Sequence, residues 1–410
     1  MKILHVIETL SPRYGGPVTV LTSMAEAQQR AGHDAYIVTT NAEHPRGTYH
    51  APGWDTLVNG VIPVLYGAVH FEPLRFSRDV AIYLKRTVSE FDVVHVHGLY
   101  RFPSTYAAWQ GRRQRVPYII TPHGALDPYL YDKSTAGSVW LKRLYERLFD
   151  LPNLNAANAI HFTTEEERER AAFLRLRTPS FVVPNGLDWA RYRRLPTRGA
   201  LRLRWGLGEA PIVLFLGRLH FKKGLDLLIP AFDAVRRRLP DAHLVIAGPD
   251  NDDYGKKVRG WIRERRLDAA VHLVGPLYGD DVLQAYVDAD VFVLPSYTEN
   301  FGMTVIEALA CALPVVISDQ VNIHAEVNRA GAGIVTRCDV NEVAVAIEAL
   351  LNDAERRRSM GEAGRRLVQD RYTWPAIVQA LTKEYEAAIE RHRQARQTSR
   401  SRASAAEKGK

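Results

Sequence analysis

Cysteine is almost absent from these 410 residues: only Cys311 and Cys338 occur, each inside an apolar or mixed segment. That excludes a disulfide framework and a cysteine-based metal site, and both thiols are expected to pack as small apolar groups. Long apolar runs are missing as well. No stretch approaches the roughly 20 uninterrupted apolar residues of a membrane helix, and the opening Met1–Ile7 is too short for a signal-peptide core. A cytoplasmic protein is the expectation, with the inner face of the cytoplasmic membrane as its place of work. Acidic charge is in deficit, 46 Asp and Glu against 54 Lys and Arg, for a net charge of +8. Such a balance favours an anionic partner: a nucleotide, a phospholipid leaflet or a nucleic acid. No stripe of basic residues interleaved with aromatics is present, which argues against nucleic acid.

Part of the excess is local. Arg391, Arg393, Arg396, Arg400, Arg402, Lys408 and Lys410 face the single acid Glu407. The stretch 395–410 therefore reads as a disordered basic tail, suited to weak peripheral attachment to anionic lipid.

What fills the chain is an alternation of short β-branched runs with helical patterns, the mark of α/β architecture with parallel sheets and crossover helices. The length makes two domains the leading expectation. Strands are predicted at 2–7, 35–39, 93–97, 118–121, 159–162 and 181–183 in the first half. Those of the second half fall at 212–216, 243–247, 271–274, 291–294 and 315–317. Between the halves, residues 189–200 lose their apolar period and gather Arg191, Arg193, Arg194, Pro196 and Gly199, as an exposed hinge would. The expected organisation is an N-terminal Rossmann-like acceptor domain over 1–190 and a C-terminal Rossmann-like nucleotide-sugar domain over 200–370. A helix over 371–394 would cross back to the first domain.

Ligands of open α/β sheets bind outside the carboxyl ends of the strands, so residues that follow strands directly carry the most information. After the first strand, Gly15 and Gly16 lead into a helix expected over 18–31, where backbone N–H groups can approach a phosphate. After the strand at 212–216 stand Gly217, Arg218, Lys223 and Gly224. Two cations on one loop can clamp a diphosphate, Arg with a planar fork and Lys as a point charge. The strand at 291–294 runs into Glu299, Asn300, Phe301, Gly302 and Met303, with Glu307 about two turns inside the helix that follows. Carboxylates suit the vicinal hydroxyls of a sugar or ribose, and the loop amides suit an oxygen-rich ligand. The lookalike metal pair Asp288 and Asp290 leads straight into a core strand and is not expected to hold an ion.

These residues in this order, with Thr121-Pro122-His123-Gly124 and Pro184-Asn185-Gly186, resemble glycosyltransferase family 4, the group 1 glycosyltransferases of GT-B fold. The resemblance spans both halves. It implies two Rossmann-like domains with parallel sheets facing a central cleft, and retaining transfer of a hexose, mannose-like, without metal or other cofactor. The donor would be a UDP- or GDP-sugar, and the acceptor a saccharide or lipid-linked saccharide of polysaccharide or lipopolysaccharide biosynthesis. By the same resemblance Arg218 and Lys223 bind the pyrophosphate, Glu307 the ribose, and Glu299 a hydroxyl of the transferred sugar. Asn300 and the amides of Phe301, Gly302 and Met303 hold further sugar oxygens. Gly15 and Gly16 approach from the first domain, Gly275 and Leu277 border the base, and His123 faces the reacting carbon.

His97, Tyr100, Asp127 and Tyr129 crowd the loops near His123 and suit an acceptor pocket. Of His95 and His97, which close one strand, only one is expected to look toward the site. Two other readings fit the same residues: an epimerase of GT-B-like fold acting on the nucleotide-sugar itself, and a non-catalytic nucleotide-sugar-binding subunit.

Overall fold

Parallel strands need a crossover between them, so each strand–helix alternation adds one strand to an open sheet. The computed structural model describes every residue except 12–15, 43–52, 58–60, 130–135, 252 and 409–410. The chain divides into two units, Met1–Gly186 with Trp374–Lys410, and Leu187–Thr373. The chain leaves the first unit after Gly186 and returns at Trp374, and residues 189–200 belong to the second unit, with Tyr192 buried there.

In the first unit the strands are β1 (Lys2–Thr9), β2 (Asp34–Thr40), β3 (Gly53–Leu57), β4 (Ile62–Gly67), β5 (Val93–His97), β6 (Tyr118–Thr121), β7 (Ala159–Phe162) and β8 (Ser180–Val182). They lie in the order β3-β4-β2-β1-β5-β6-β7-β8, parallel except for β3, which pairs antiparallel with β4 at the sheet edge. The second unit holds β9 (Ile212–Leu216), β10 (His243–Ala247), β11 (Val271–Gly275), β12 (Val291–Leu294), β13 (Val315–Ser318) and β14 (Gly333–Thr336). Their order is β11-β10-β9-β12-β13-β14, parallel throughout. Helices cover both faces, which is why Ile3, Leu4 and Val6 on β1 and Val213, Leu214 and Phe215 on β9 are all buried instead of alternating with polar residues.

Three strands escape the sequence reading. β3 and β4 lie in a stretch broken by Pro63, which a central strand rarely carries. β14 is only four residues long and opens on Gly333, where a Cβ would fall 2.3 Å from the Val315 carbonyl oxygen.

The helix Trp374–Lys408 closes the first unit. Tyr385 and Leu381 are buried, and His33 and Asn158 are hydrogen bonded to Thr382 and His392. Residues 395–408 are helical where the sequence reading expects a disordered tail over 395–410, whose last two residues lie outside the described ones: Ala, Arg, Glu and Lys are strong helix formers, and here they prolong a helix already nucleated by packing.

Candidate active site

Among the parallel strands of each unit the order reverses once, between β1 and β5 and between β9 and β12. At such a switch point the loops leaving two neighbouring strands diverge and open a crevice. In the second unit β9 and β12 are in register, Val213 beside Val291 and Leu214 beside Phe292, so their loops emerge side by side. Those loops carry Arg218, Lys223 and Glu299, and the helix after the β12 loop carries Glu307.

Backbone approach fixes the β9 loop. Gly217 N donates to the Ala247 carbonyl and Leu219 N to that of Pro249, at 2.9 Å each. A Cβ on Gly248, at φ +148°, would lie 1.9 Å from the Gly217 carbonyl oxygen, so only glycine lets the β10 loop pass. The turn Phe221–Lys223 ends at Gly224, in the left-handed region at φ +69°, whose Cβ would sit 2.0 Å from the Pro295 carbonyl oxygen. Tyr297 stitches the loops together: its N–H donates to the Lys222 carbonyl at 2.8 Å and its hydroxyl to Asp226 Oδ2 at 2.9 Å. Across this seam Lys223 Nζ and the Glu299 carboxylate form an ion pair, each side chain about one-fifth exposed. Arg218 is exposed and makes no ion pair among the described residues.

Glu299 is held by its backbone on both sides, donating to the Gln320 carbonyl and accepting from Asn322 N, at 3.0 Å each. Gly302, at φ +81°, starts the helix Met303–Ala310. Phe301 is buried edge-on against Tyr372, which leaves only its backbone for a ligand. Glu307 is the fifth residue of that helix, just past its first turn and nearer the strand ends than the sequence reading places it. One of its oxygens accepts from the Tyr286 hydroxyl at 2.8 Å. The other makes no hydrogen bond among the described residues. Burial raises the Glu307 pKa, while the Tyr286 hydrogen bond and Arg191 act in the opposite sense. Gly275 ends β11 and accepts from Gly248 N at 2.9 Å; Leu277 follows, half-buried, and Met303 is half-buried at the helix start.

Asp288 and Asp290 lie before β12, at its amino end. Asp288 accepts from Leu201 N at 2.7 Å and Arg202 N at 3.2 Å, and Asp290 pairs with Arg198 and Arg202. Both carboxylates are thus engaged in fixing the start of the unit. A recess lined by Arg198, Asp290, Arg357 and Arg358 opens on that same end, away from the loops just described.

In the first unit Gly15 lies outside the described residues, and Gly16 is exposed at the start of the helix Gly16–Arg30. His123 follows β6 in the left-handed region at φ 53°, with Gly124 at φ 75°. A non-glycine residue there stores strain that its surroundings must impose. Glu167 supplies the restraint, accepting from Gly124 N at 2.6 Å and from Thr163 N and Oγ1 at 2.8 Å each. Sequence reasoning missed Glu167, which stands in a charged run resembling a solvated face. The available signal was Thr164-Glu165-Glu166-Glu167, a capping-box spacing that turns the third glutamate back toward the helix start.

His95 and His97 lie on one face, their ring centroids 4.2 Å apart, which corrects the expectation that only one of them looks inward: residues two apart on a strand share a face. His97 is given to the acceptor by the sequence reading. It is 1% exposed, and both ring nitrogens are engaged, by His5 and by His123 at 3.0 Å each. Burial lowers His123 to about 3, with His161 a lesser cause. Asp127 has both oxygens taken, by Tyr129 N at 2.9 Å and by Arg170 at 3.1 Å. Tyr100, at φ 65°, donates its N–H to Asp150 Oδ2 at 3.0 Å and lies under Lys142 Nζ at 4.5 Å. Asp150, also missed, is pushed up to about 7 by burial, against hydrogen bonds from Tyr100 and Thr105.

Two doubly wound units, the second with Arg218 and the Lys223–Glu299 pair at its switch point, define the class of fold. The comparisons with known proteins narrow the class. Residues 201–367 match the model of "Glycosyl transferases group 1" and residues 15–186 that of a "Glycosyl transferase 4-like domain". The chain belongs to the group 1 glycosyltransferases of GT-B fold. D-inositol 3-phosphate glycosyltransferase of Kineococcus radiotolerans is 30% identical over 58% of this chain and 59% of that protein. The mannosyltransferase of Mycolicibacterium smegmatis that is named for GDP-mannose and phosphatidylinositol monomannoside is 31% identical over 54% of this chain and 60% of its own length. The chain therefore spans somewhat over half the length of these relatives. Among solved structures, sucrose-phosphate synthase from Thermosynechococcus elongatus matches with a TM-score of 0.75 and 22% identity over 94% of this chain and 98% of that one. HepE of Anabaena, solved with UDP-glucose, matches with a TM-score of 0.75 and 20% identity over 94% and 100%. No helix among the described residues is long and apolar enough to cross a membrane.

Proposed function

We propose that this glycosyltransferase moves a hexose, mannose-like, from a UDP- or GDP-sugar to a saccharide or lipid-linked saccharide, with retention and without a metal. The observation that carries the reading is the placement of Arg218 and Lys223 on the β9 loop, stitched to the Glu299 loop at the switch point. The bond from the anomeric carbon to the diphosphate oxygen breaks, and its electron pair stays on the diphosphate. Arg218 and Lys223 stabilise the charge that develops there, a contribution of about 3 to 4 kcal/mol for a well-placed donor. The acceptor hydroxyl oxygen bonds to the same carbon and passes its proton to the departing phosphate.

Glu299 takes a hydroxyl of the transferred sugar once Lys223 turns to the diphosphate, and the open oxygen of Glu307 takes the ribose. The amides of 301–303, with Asn300, hold sugar oxygens, and Gly275 and Leu277 border the base. Gly15, Gly16 and His123 serve the donor from the first unit, and Tyr100 and Tyr129 the acceptor.

The names of the relatives support a lipid-linked or phosphorylated acceptor in glycan biosynthesis. Weak attachment to an anionic leaflet is supported by a second feature. Along 136–150 the apolar side chains of Trp140, Leu141, Leu148 and Phe149 are exposed at 65%, 62%, 56% and 47%, with Lys142, Arg143 and Arg147 among them.

The test is direct. Purified protein in chelator should release UDP or GDP from one member of a nucleotide-sugar panel when an acceptor is present, and Glu299→Ala or Lys223→Ala should abolish the release. Unchanged turnover in both variants would sink the site assignment, and a sugar altered without any acceptor would make the protein an epimerase.

A further inference from the structure

Five histidines, His5, His95, His97, His123 and His161, stand on or just after four adjacent strands of the first unit. We propose that a buried hydrogen-bond relay, anchored at the Val183 carbonyl and passing through Tyr385 of the closing helix, fixes His123 as its Nε2–H tautomer. Its Nδ1 then presents a lone pair to a substrate hydroxyl. The relay itself follows from the first unit alone; the hydroxyl rests on the function proposed above.

The direction of every link can be derived from its starting point. A carbonyl only accepts, so His161 Nε2, 2.7 Å from the Val183 oxygen, carries the proton. In a neutral ring His161 Nδ1 then accepts, and Thr121 Oγ1 at 2.9 Å donates to it. Having spent its one hydrogen, Thr121 accepts from His95 Nε2 at 2.6 Å. His95 Nδ1 is left as acceptor for the Tyr385 hydroxyl at 2.7 Å. Tyr385 in turn accepts from Gln28 Nε2 at 3.2 Å, which points the Gln28 carbonyl oxygen at His5 Nε2, 2.7 Å away. His5 Nδ1 must therefore accept from His97 Nε2 at 3.0 Å. The last link repeats the pattern, His97 Nδ1 accepting from His123 Nε2 at 3.0 Å. All five rings are Nε2–H, and His123 Nδ1 makes no hydrogen bond among the described residues.

Neutral rings are the premise, and the surroundings enforce it. No carboxylate takes part in the relay. Burial lowers His5 and His161 to about 4 and His123 to about 3, and lowers His95 and His97 well below the ordinary value, the neighbouring imidazoles adding to the effect. Burial also keeps the Tyr385 hydroxyl protonated, as a donor must be. One ring nitrogen from each of His5, His95 and His97 lies within 4.8 Å of the other two, a spacing that could suit a metal ion. Every nitrogen of those three rings already has a hydrogen-bond partner, so an ion would have to break the relay to bind.

Two-bond proton–nitrogen correlation spectra of the protein labelled with 15N in its imidazoles separate the tautomers, and His123→Asn assigns the decisive resonance. At neutral pH in chelator, the wild-type protein is expected to show all five rings as Nε2–H; His123 found charged or as Nδ1–H would overturn the relay. Tyr385→Phe removes the hydroxyl that orients Gln28. The amide can then turn over and the run from His5 to His123 can reverse, so His5, His97 and His123 should become mixtures while His161, still tied to Val183, stays Nε2–H. His123 remaining wholly Nε2–H there would overturn the part given to Tyr385. Should that variant not fold, Gln28→Met breaks the same run and carries the same expectation.

Transfer activity adds the functional readout. In either variant kcat/KM should fall with the Nε2–H fraction of His123, about twofold for an even mixture. A mixture with unchanged kcat/KM would overturn the acceptor role of Nδ1. A wild-type protein that transfers no sugar would count against the proposed function while leaving the tautomer result standing.

Discussion

Arg218→Ala separates the catalytic reading of the β9 loop from a structural one. Arg218 is exposed and makes no ion pair among the described residues, so its removal should leave stability unchanged within about 0.5 kcal/mol. A cation that neutralises charge on a departing diphosphate is worth about 3 to 4 kcal/mol, so kcat should fall roughly 100- to 1000-fold. Lys223→Ala is expected to cost a similar amount of rate but not to be silent in stability. The partner it leaves, Glu299, is only about one-fifth exposed and cannot fully rehydrate. The assay is release of nucleoside diphosphate in chelator, run beside denaturant unfolding of the same preparations. Activity lost in both variants with stability lost only in Lys223→Ala is the expected pattern. An Arg218→Ala protein with wild-type kcat/KM would refute the reasoning, because no structural duty is left to explain that residue.

Two further outcomes follow from the same geometry. Gly224→Ala places a Cβ 2.0 Å from the Pro295 carbonyl oxygen in a left-handed conformation that alone costs about 1 to 2 kcal/mol, so the two loops must part. Lower stability together with lost activity, by unfolding and by release assays, is expected, and full activity would show that the seam is unimportant. Acid should destabilise the protein more steeply than ordinary carboxylate titration does. The five histidines have folded pKa values below the unfolded value near 6.5, so the unfolded chain binds protons that the folded one refuses. Their effect is absent above about pH 6.5 and grows as pH falls toward the folded values of about 4 and about 3, by about 1.4 kcal/mol per pH unit for each fully engaged histidine. A flat stability profile between pH 6.5 and 4.5 would contradict the neutral cluster.

The parts of this molecule that could be read from the sequence are those whose cause is local. β5, β6, β9, β10 and β12 were legible to the residue because strands covered on both faces are short, mainly apolar runs rich in Val and Ile, and the carboxyl ends of β9 and β12 pointed to Arg218, Lys223 and Glu299. β3, with its antiparallel pairing, was not, because what makes it a strand is its neighbour β4 and not its own pattern. The same division runs through the candidate site. Glu167 looks like a solvated helix charge until β6 and β7 bring Gly124 and Thr163 to its carboxylate. His97 reads as a loop-end ligand until it is seen buried between His5 and His123. Tyr385 is 290 residues from His95, and no spacing rule connects them. It follows that a residue with a visible motif and an open side chain, such as Arg218, is better placed to touch a ligand than one with the same motif whose polar atoms are already spent. By that criterion Asp127 and His97 are spent and Arg218, Glu307 and His123 Nδ1 are open, and the last three are where substitutions should act on chemistry before they act on stability.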